Sequence, residues 1–177
     1  LNFFSNDFIL IISLLIVITF FIFLILSIFS YQFIRLRILF IPFFFILIIF
    51  RFVIGVLSFE DAGEVNLFDN HYLLIHILTS LLSYSLITIS LVTAFCIFIQ
   101  DIYIKKMKYN QIINNFLPSM FESEMLAIRF LYLTIIFLII SLISGYYYFI
   151  ENKADLTYFF NQKVILSLIT LFLTVFI

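Results

Sequence analysis

The chain has 177 residues, 66% of them hydrophobic and 11% charged, with a formal net charge of −1. Soluble domains run near roughly 45–50% apolar and about 25% charged, so too few polar side chains exist here to cover a water-facing surface. The absence of any basic or acidic block excludes a nucleic-acid surface. A single cysteine, Cys96, excludes an intrachain disulfide and a cysteine-based metal motif.

Five apolar runs carry nearly all of the chain, at 8–29, 38–59, 72–99, 127–150 and 163–177. A bilayer core of about 30 Å needs about 20 such residues at a rise of about 1.5 Å each. The runs therefore predict an all-α, polytopic transmembrane bundle of about five spans, in a single domain covering 1–177. The first run, FILIISLLIVITFFIFLILSIF, continues for 22 positions without a charge. It is too long for a signal-peptide core and lacks the basic flank and cleavage site of one, so it reads as a true span. Leu1 in place of Met, and a fifth run that stops at Ile177, lead us to expect a piece of a longer protein.

The first connection carries Arg35 and Arg37. The third carries Lys105, Lys106 and Lys108, with Arg129 at the start of the fourth run. The second, EDAGEVNLFDN, holds four carboxylates and no base, and the fourth has only Lys153, with Lys163 at its far edge. Short basic loops face the cytoplasm. This predicts an outside N-terminus, with 30–37 and 100–126 cytoplasmic, in a bacterial inner (plasma) membrane. The second run also contains Arg51, about 12 Å from its outer end by helical rise. Arg51 either snorkels outward or lines the bundle interior, where it can pair a carboxylate of a bound ligand.

The third run opens near His76. On a helix of about 3.6 residues per turn, Ser80 and Ser83 lie within about 40° of it, and Thr79 and Tyr84 within about 80°. Ser90 falls on the same face and Ser85 points away. Hydroxyls left in hydrocarbon go unsatisfied, so this face is expected to meet protein, with Ser85 less covered. Two readings of the stripe stand: Ser/Thr packing with a satisfied histidine, or a ligand site in which a neutral imidazole binds a metal. His71 lies about 140° away on the wheel and reads as a hydrated loop residue.

Beyond it, LPSMFESEML spaces Ser119 and Glu122 as a helix N-cap and its reciprocal acid. Glu122 and Glu124 fall in the first turn, where the helix dipole favours them. The three lysines ahead of this segment suit anionic lipid headgroups.

The ordered series HILTSLLSYSLITISLVTAF (76–95), LPSMFESEML (117–126) and ISLISGYYYF (140–149) resembles the cytochrome c assembly proteins of the HemX-like, Ccs-type branch. The matching positions are His76, Ser80-Leu81-Leu82, Tyr84, Ala94, Leu117-Pro118, Glu124 and Ser144-Gly145, with Pro42 suiting the preceding helix. The resemblance implies a multi-span protein that handles haem near the outer membrane face. It implies His76 as a candidate iron ligand, and other cytochrome c maturation proteins as partners beside the lipid bilayer; if haem binds there, the interior placement of Arg51 would set it to pair a propionate. The family's next helix usually begins with His-Lys; here Gln162 precedes Lys163, and the tryptophan-rich loop of the wider family has no counterpart in a chain without Trp. An amide is a poor iron ligand, so any bound haem is expected to be five-coordinate or weakly held. The alternative is a non-haem structural or regulatory membrane subunit. No nucleophile–base or carboxylate pair stands at workable spacing, so an enzyme is not expected.

Overall fold

The computed structural model describes residues 6–57, 71–105, 117–151 and 162–176. Five helices make it up: α1 Asn6–Phe29, α2 Tyr31–Leu57, α3 His71–Lys105, α4 Met120–Glu151 and α5 Gln162–Phe176. No strand occurs among the described residues. Inside lipid a helix satisfies its own backbone groups without water, which is why unbroken apolar runs take this form. Helices α1 to α4 are each long and apolar enough to cross a membrane. The 15 residues of α5 reach only about 22 Å at the helical rise, short of a full crossing.

The helices overrun the apolar runs at the basic ends. Expected as a loop, 30–37 is helical except at Ser30. The Ser30 N–H donates to the Leu26 carbonyl at 2.9 Å, and its own carbonyl accepts from the Phe33 N–H at 3.1 Å, so one residue makes the junction. Arg35 and Arg37 then project from the first turns of α2, where long side chains can reach headgroups while the backbone stays helical. At the start of α4 the expected cap is present. The Ser119 N–H donates to Glu122 Oε2 at 2.9 Å, and the Glu122 N–H donates to Ser119 Oγ at 3.3 Å. Gln32 and Arg35 of α2 also act on the Glu122 carboxylate. One end of the bundle thus gathers the α1–α2 junction and the start of α4, the two segments whose basic residues were read as lying on one side.

Helix α3 is the axis. It packs most extensively along α4, and α1 and α2 lie on its other flank. The α1–α2 seam is made by phenylalanine. Phe23 stacks on Phe40 with ring centroids 4.1 Å apart, Phe20 meets Phe44 edge-on at 5.4 Å, and Phe33 reaches Phe130 of α4 at 5.6 Å. Phe23, Phe33, Phe40, Phe44 and Phe130 join Leu86, Ile89, Val92 and Cys96 of α3 in one core cluster. Other phenylalanines, such as Phe21, Phe45 and Phe52, face outward, where lipid contact suits them.

The α3–α4 seam is built differently. Its buried positions on α4 include Ser123, Ala127, Thr134, Ser141 and Ser144, small side chains that let two backbones approach. Some buried seam hydroxyls return to their own helix, and others, such as Ser90 to the Ala127 carbonyl at 3.3 Å, bond across the seam. Ser83 donates to the Ser80 carbonyl, Ser85 to Leu82 and Thr93 to Ser90, each at 2.7 Å, and Thr134 donates to Phe130 at 2.8 Å.

The expected ranking of the α3 stripe is overturned. Ser85 is fully buried, as is Ser83, whereas Thr79, Ser80 and Tyr84 are only half-buried. A helical wheel assumes one covered face, but α3 sits between two flanks and is covered on both. Overpacking a tight core position costs about 1–3 kcal/mol. Ser85→Phe is therefore expected to lower stability in detergent by about that much, while Thr79→Phe changes it little. Equal effects in thermal unfolding would contradict this placement.

Candidate functional site

His76 lies on α3 about 7 Å of rise beyond His71, where the α3–α4 pair begins at the end opposite the basic junctions. Its half-buried ring leans on α4. Nδ1 stands 2.7 Å from the backbone carbonyl oxygen of Ser141 and 3.1 Å from Ser141 Oγ. The Ser141 hydroxyl lies 3.4 Å from the His76 carbonyl, to which it donates, and one turn outward Ser144 Oγ donates to the Tyr72 carbonyl at 2.8 Å. The ring rests over Gly145: a Cβ there would stand 3.0 Å from Nδ1 and 3.1 Å from Cε1. Tyr72 and Tyr147 stack across the same seam with ring centroids 6.0 Å apart.

Small residues at 141, 144 and 145 thus form a shallow seat for the imidazole. No hydrogen bond from the described residues engages Nε2. A neutral histidine held through one ring nitrogen and open at the other is the arrangement in which this side chain ligates a metal. No group of three or more His, Cys, Asp or Glu side chains that could hold a metal ion occurs among the described residues. The site offers one ligand. One imidazole is too few protein ligands to cage a bare metal ion.

The other expected residues fall elsewhere. Arg51 is exposed on α2, and its Nε donates to Ser13 Oγ of α1 at 2.9 Å, with Ser13 in turn donating to the Ile9 carbonyl at 2.7 Å. No described contact joins Arg51 to His76. His71 is exposed but helical, as the first residue of α3 rather than part of a loop. Thr79 and Ser80 donate to carbonyls of α3 itself, so the stripe does not supply the ring's partners. Those partners come from α4. The Ser144-Gly145 pair was visible in the sequence, but only the packed helices show that it and Ser141 receive His76.

Two further features lie toward the basic end. Gln100 is buried and donates through Nε2 to the Pro118 carbonyl, while Ser123 Oγ lies 3.5 Å from Cys96 Sγ. This cluster ties the Leu117-Pro118 segment onto α3, and sequence reasoning did not single out Gln100. A cleft of about 540 Å³ between α3, α4 and α5 is lined mainly by apolar side chains, with Ser90, Glu124, Tyr132 and Thr174 among them. None of its lining residues belongs to the His76 seat.

Four membrane-length helices around a seam that seats one histidine define a multi-pass α-helical membrane protein. Residues 6–177 match the family model for the cytochrome C assembly protein, and the chain belongs to that family. It is thus a membrane protein of cytochrome c biogenesis, in contact with the lipid bilayer. No curated protein and no solved structure matches the chain.

Proposed function

We propose that the chain handles haem near the outer membrane face during cytochrome c assembly, as a non-enzymatic subunit of the HemX-like, Ccs-type branch. The observation that carries this reading is the His76 ring, seated on Ser141 and Gly145 through Nδ1 with Nε2 left open. Nε2 of His76 would hold the haem iron, which would supply a redox-active metal. Ser141 and Gly145 orient that nitrogen by seating the ring through Nδ1. Arg51 keeps guanidinium donors beyond the Nε that Ser13 engages, and these suit a propionate. Other cytochrome c maturation proteins are the expected partners in passing the haem on.

An absorption spectrum of the purified full-length protein, before and after haem addition, tests this. A Soret band supports it, and its absence under both conditions would end it. One observation favours the second reading, a structural or regulatory subunit without haem. Gln162 opens α5 where the resembling family places His, so the residue expected to complete a two-ligand site is an amide.

The proposed setting is a bacterial inner membrane with the N-terminus outside. Gathering Arg35, Arg37 and Lys105 toward one end of the bundle supports a common cytoplasmic side for them. Cysteines placed at Asn66 and Asn110, both outside the described residues, are expected to differ in intact cells. An impermeant thiol reagent should label the first and spare the second. The opposite pattern would reverse the topology.

A further inference from the structure

We infer that Ser141 and Gly145 are positioning residues that lock His76 as its Nδ1–H tautomer, leaving Nε2 as the ring's one ligating atom. Its use for haem rests on the function proposed above, whereas the tautomer itself does not.

A backbone carbonyl oxygen can only accept a hydrogen bond. At 2.7 Å from the Ser141 carbonyl, Nδ1 must therefore carry the proton, since a bare Nδ1 would set two lone pairs against each other. The surrounding bonds agree with this. Ser141 Oγ, 3.1 Å from Nδ1, has its own proton directed to the His76 carbonyl, so it meets the ring as a second acceptor. Both acceptors select the same tautomer, the one that free histidine disfavours in water. Such a backbone partner fixes which nitrogen binds a metal and how the ring is turned.

Gly145 allows the approach. At 3.0 and 3.1 Å, an added Cβ would crowd Nδ1 and Cε1 more closely than ordinary packing permits. The ring would have to give by a few tenths of an ångström, which strains the 2.7 Å bond from Nδ1 to the Ser141 carbonyl. At Gly55 of α2 an added Cβ meets nothing within 4 Å, so the same substitution there is a control for glycine removal as such.

The chain has two histidines, so His71→Gln leaves His76 as the sole reporter. The full protein, labelled with ¹⁵N-histidine, is placed in lipid nanodiscs without haem in mildly alkaline buffer and its ring nitrogens are read by NMR. The expected spectrum has a protonated, pyrrole-type Nδ1 and a bare, pyridine-type Nε2. An Nε2–H ring, or one protonated on both nitrogens, would overturn the proposal. Adding Gly145→Ala is expected to weaken the preference toward a mixture of tautomers, while Gly55→Ala leaves it as it was. An unchanged tautomer in Gly145→Ala would remove Gly145 from the assignment, and the spectrum of the His71→Gln protein decides the lock without that variant.

Haem titration of the same proteins separates the two ideas. A correct tautomer in a protein that binds no haem upholds the lock and ends the haem reading. The wrong tautomer ends the lock whatever haem does. If both hold, Gly145→Ala should weaken haem binding at least tenfold, the lower end of the range of about 10–100-fold seen when such outer partners are lost.

Discussion

His76→Ala is expected to abolish the Soret band of haem-loaded protein, while His71→Ala leaves it intact. The effect should be complete because the described residues offer no metal-binding cluster to take over, and alanine removes the only seated ring nitrogen. The contrast with His71 gives the test its force. Both imidazoles lie near the same end of α3, but His71 is exposed at the helix start, whereas His76 is held against α4. Non-specific haem uptake into an apolar surface would survive both substitutions. Equal loss from both would point to damage at the α3 terminus rather than to a ligand. A band that persists in His76→Ala would remove this residue as the iron ligand.

The second large effect is expected at Phe40. It is fully buried, stacks on Phe23 at 4.1 Å, and has Phe44 and Phe43 rings within 5.8 and 6.5 Å. In water-soluble cores, Phe→Ala costs about 3–5 kcal/mol, part of it transfer free energy and part the cavity left behind. A phenylalanine released from this seam enters hydrocarbon rather than water, so the transfer part largely vanishes and the packing part stays. Phe40→Ala is therefore expected to destabilise the bundle by about 2–3 kcal/mol, below the soluble range but well above zero. Phe45, on the lipid side of the same helix, is 65% exposed, and Phe45→Ala should be near neutral. Reversible unfolding in mixed micelles reads the difference. A Phe45 variant as damaged as the Phe40 variant would show that lipid-facing bulk, not the ring seam, holds α1 to α2.

Both experiments bear on what could be read before folding. The spans were legible because bilayer thickness sets run length, and run length is a local property of the chain. The Ser119–Glu122 cap was legible for a similar reason, since its two reciprocal bonds reach only three residues. The single-residue junction at Ser30 was not. Counting charges marks where side chains leave the hydrocarbon, yet Arg35 and Arg37 leave it from within a helix.

What the sequence by itself determined is the class of protein: an all-α membrane chain, its basic segments grouped, and a histidine near a helix end in a series that resembles cytochrome c assembly proteins. Only the tertiary structure decided which faces are covered and what the histidine touches. Ser85 was placed on the open side of α3 because one wheel can display only one buried face, whereas α1, α2 and α4 cover α3 from two sides. The residues that share a face with His76 are legible three and four positions along its own helix, but its partner Ser141 lies 65 positions away. Gln100 was passed over because nothing local ties an amide in α3 to the carbonyl of Pro118. In lipid nearly every outward residue is apolar, so hydrophobicity no longer marks the inside, and the choice of face passes to small side chains and close backbone contact between helices.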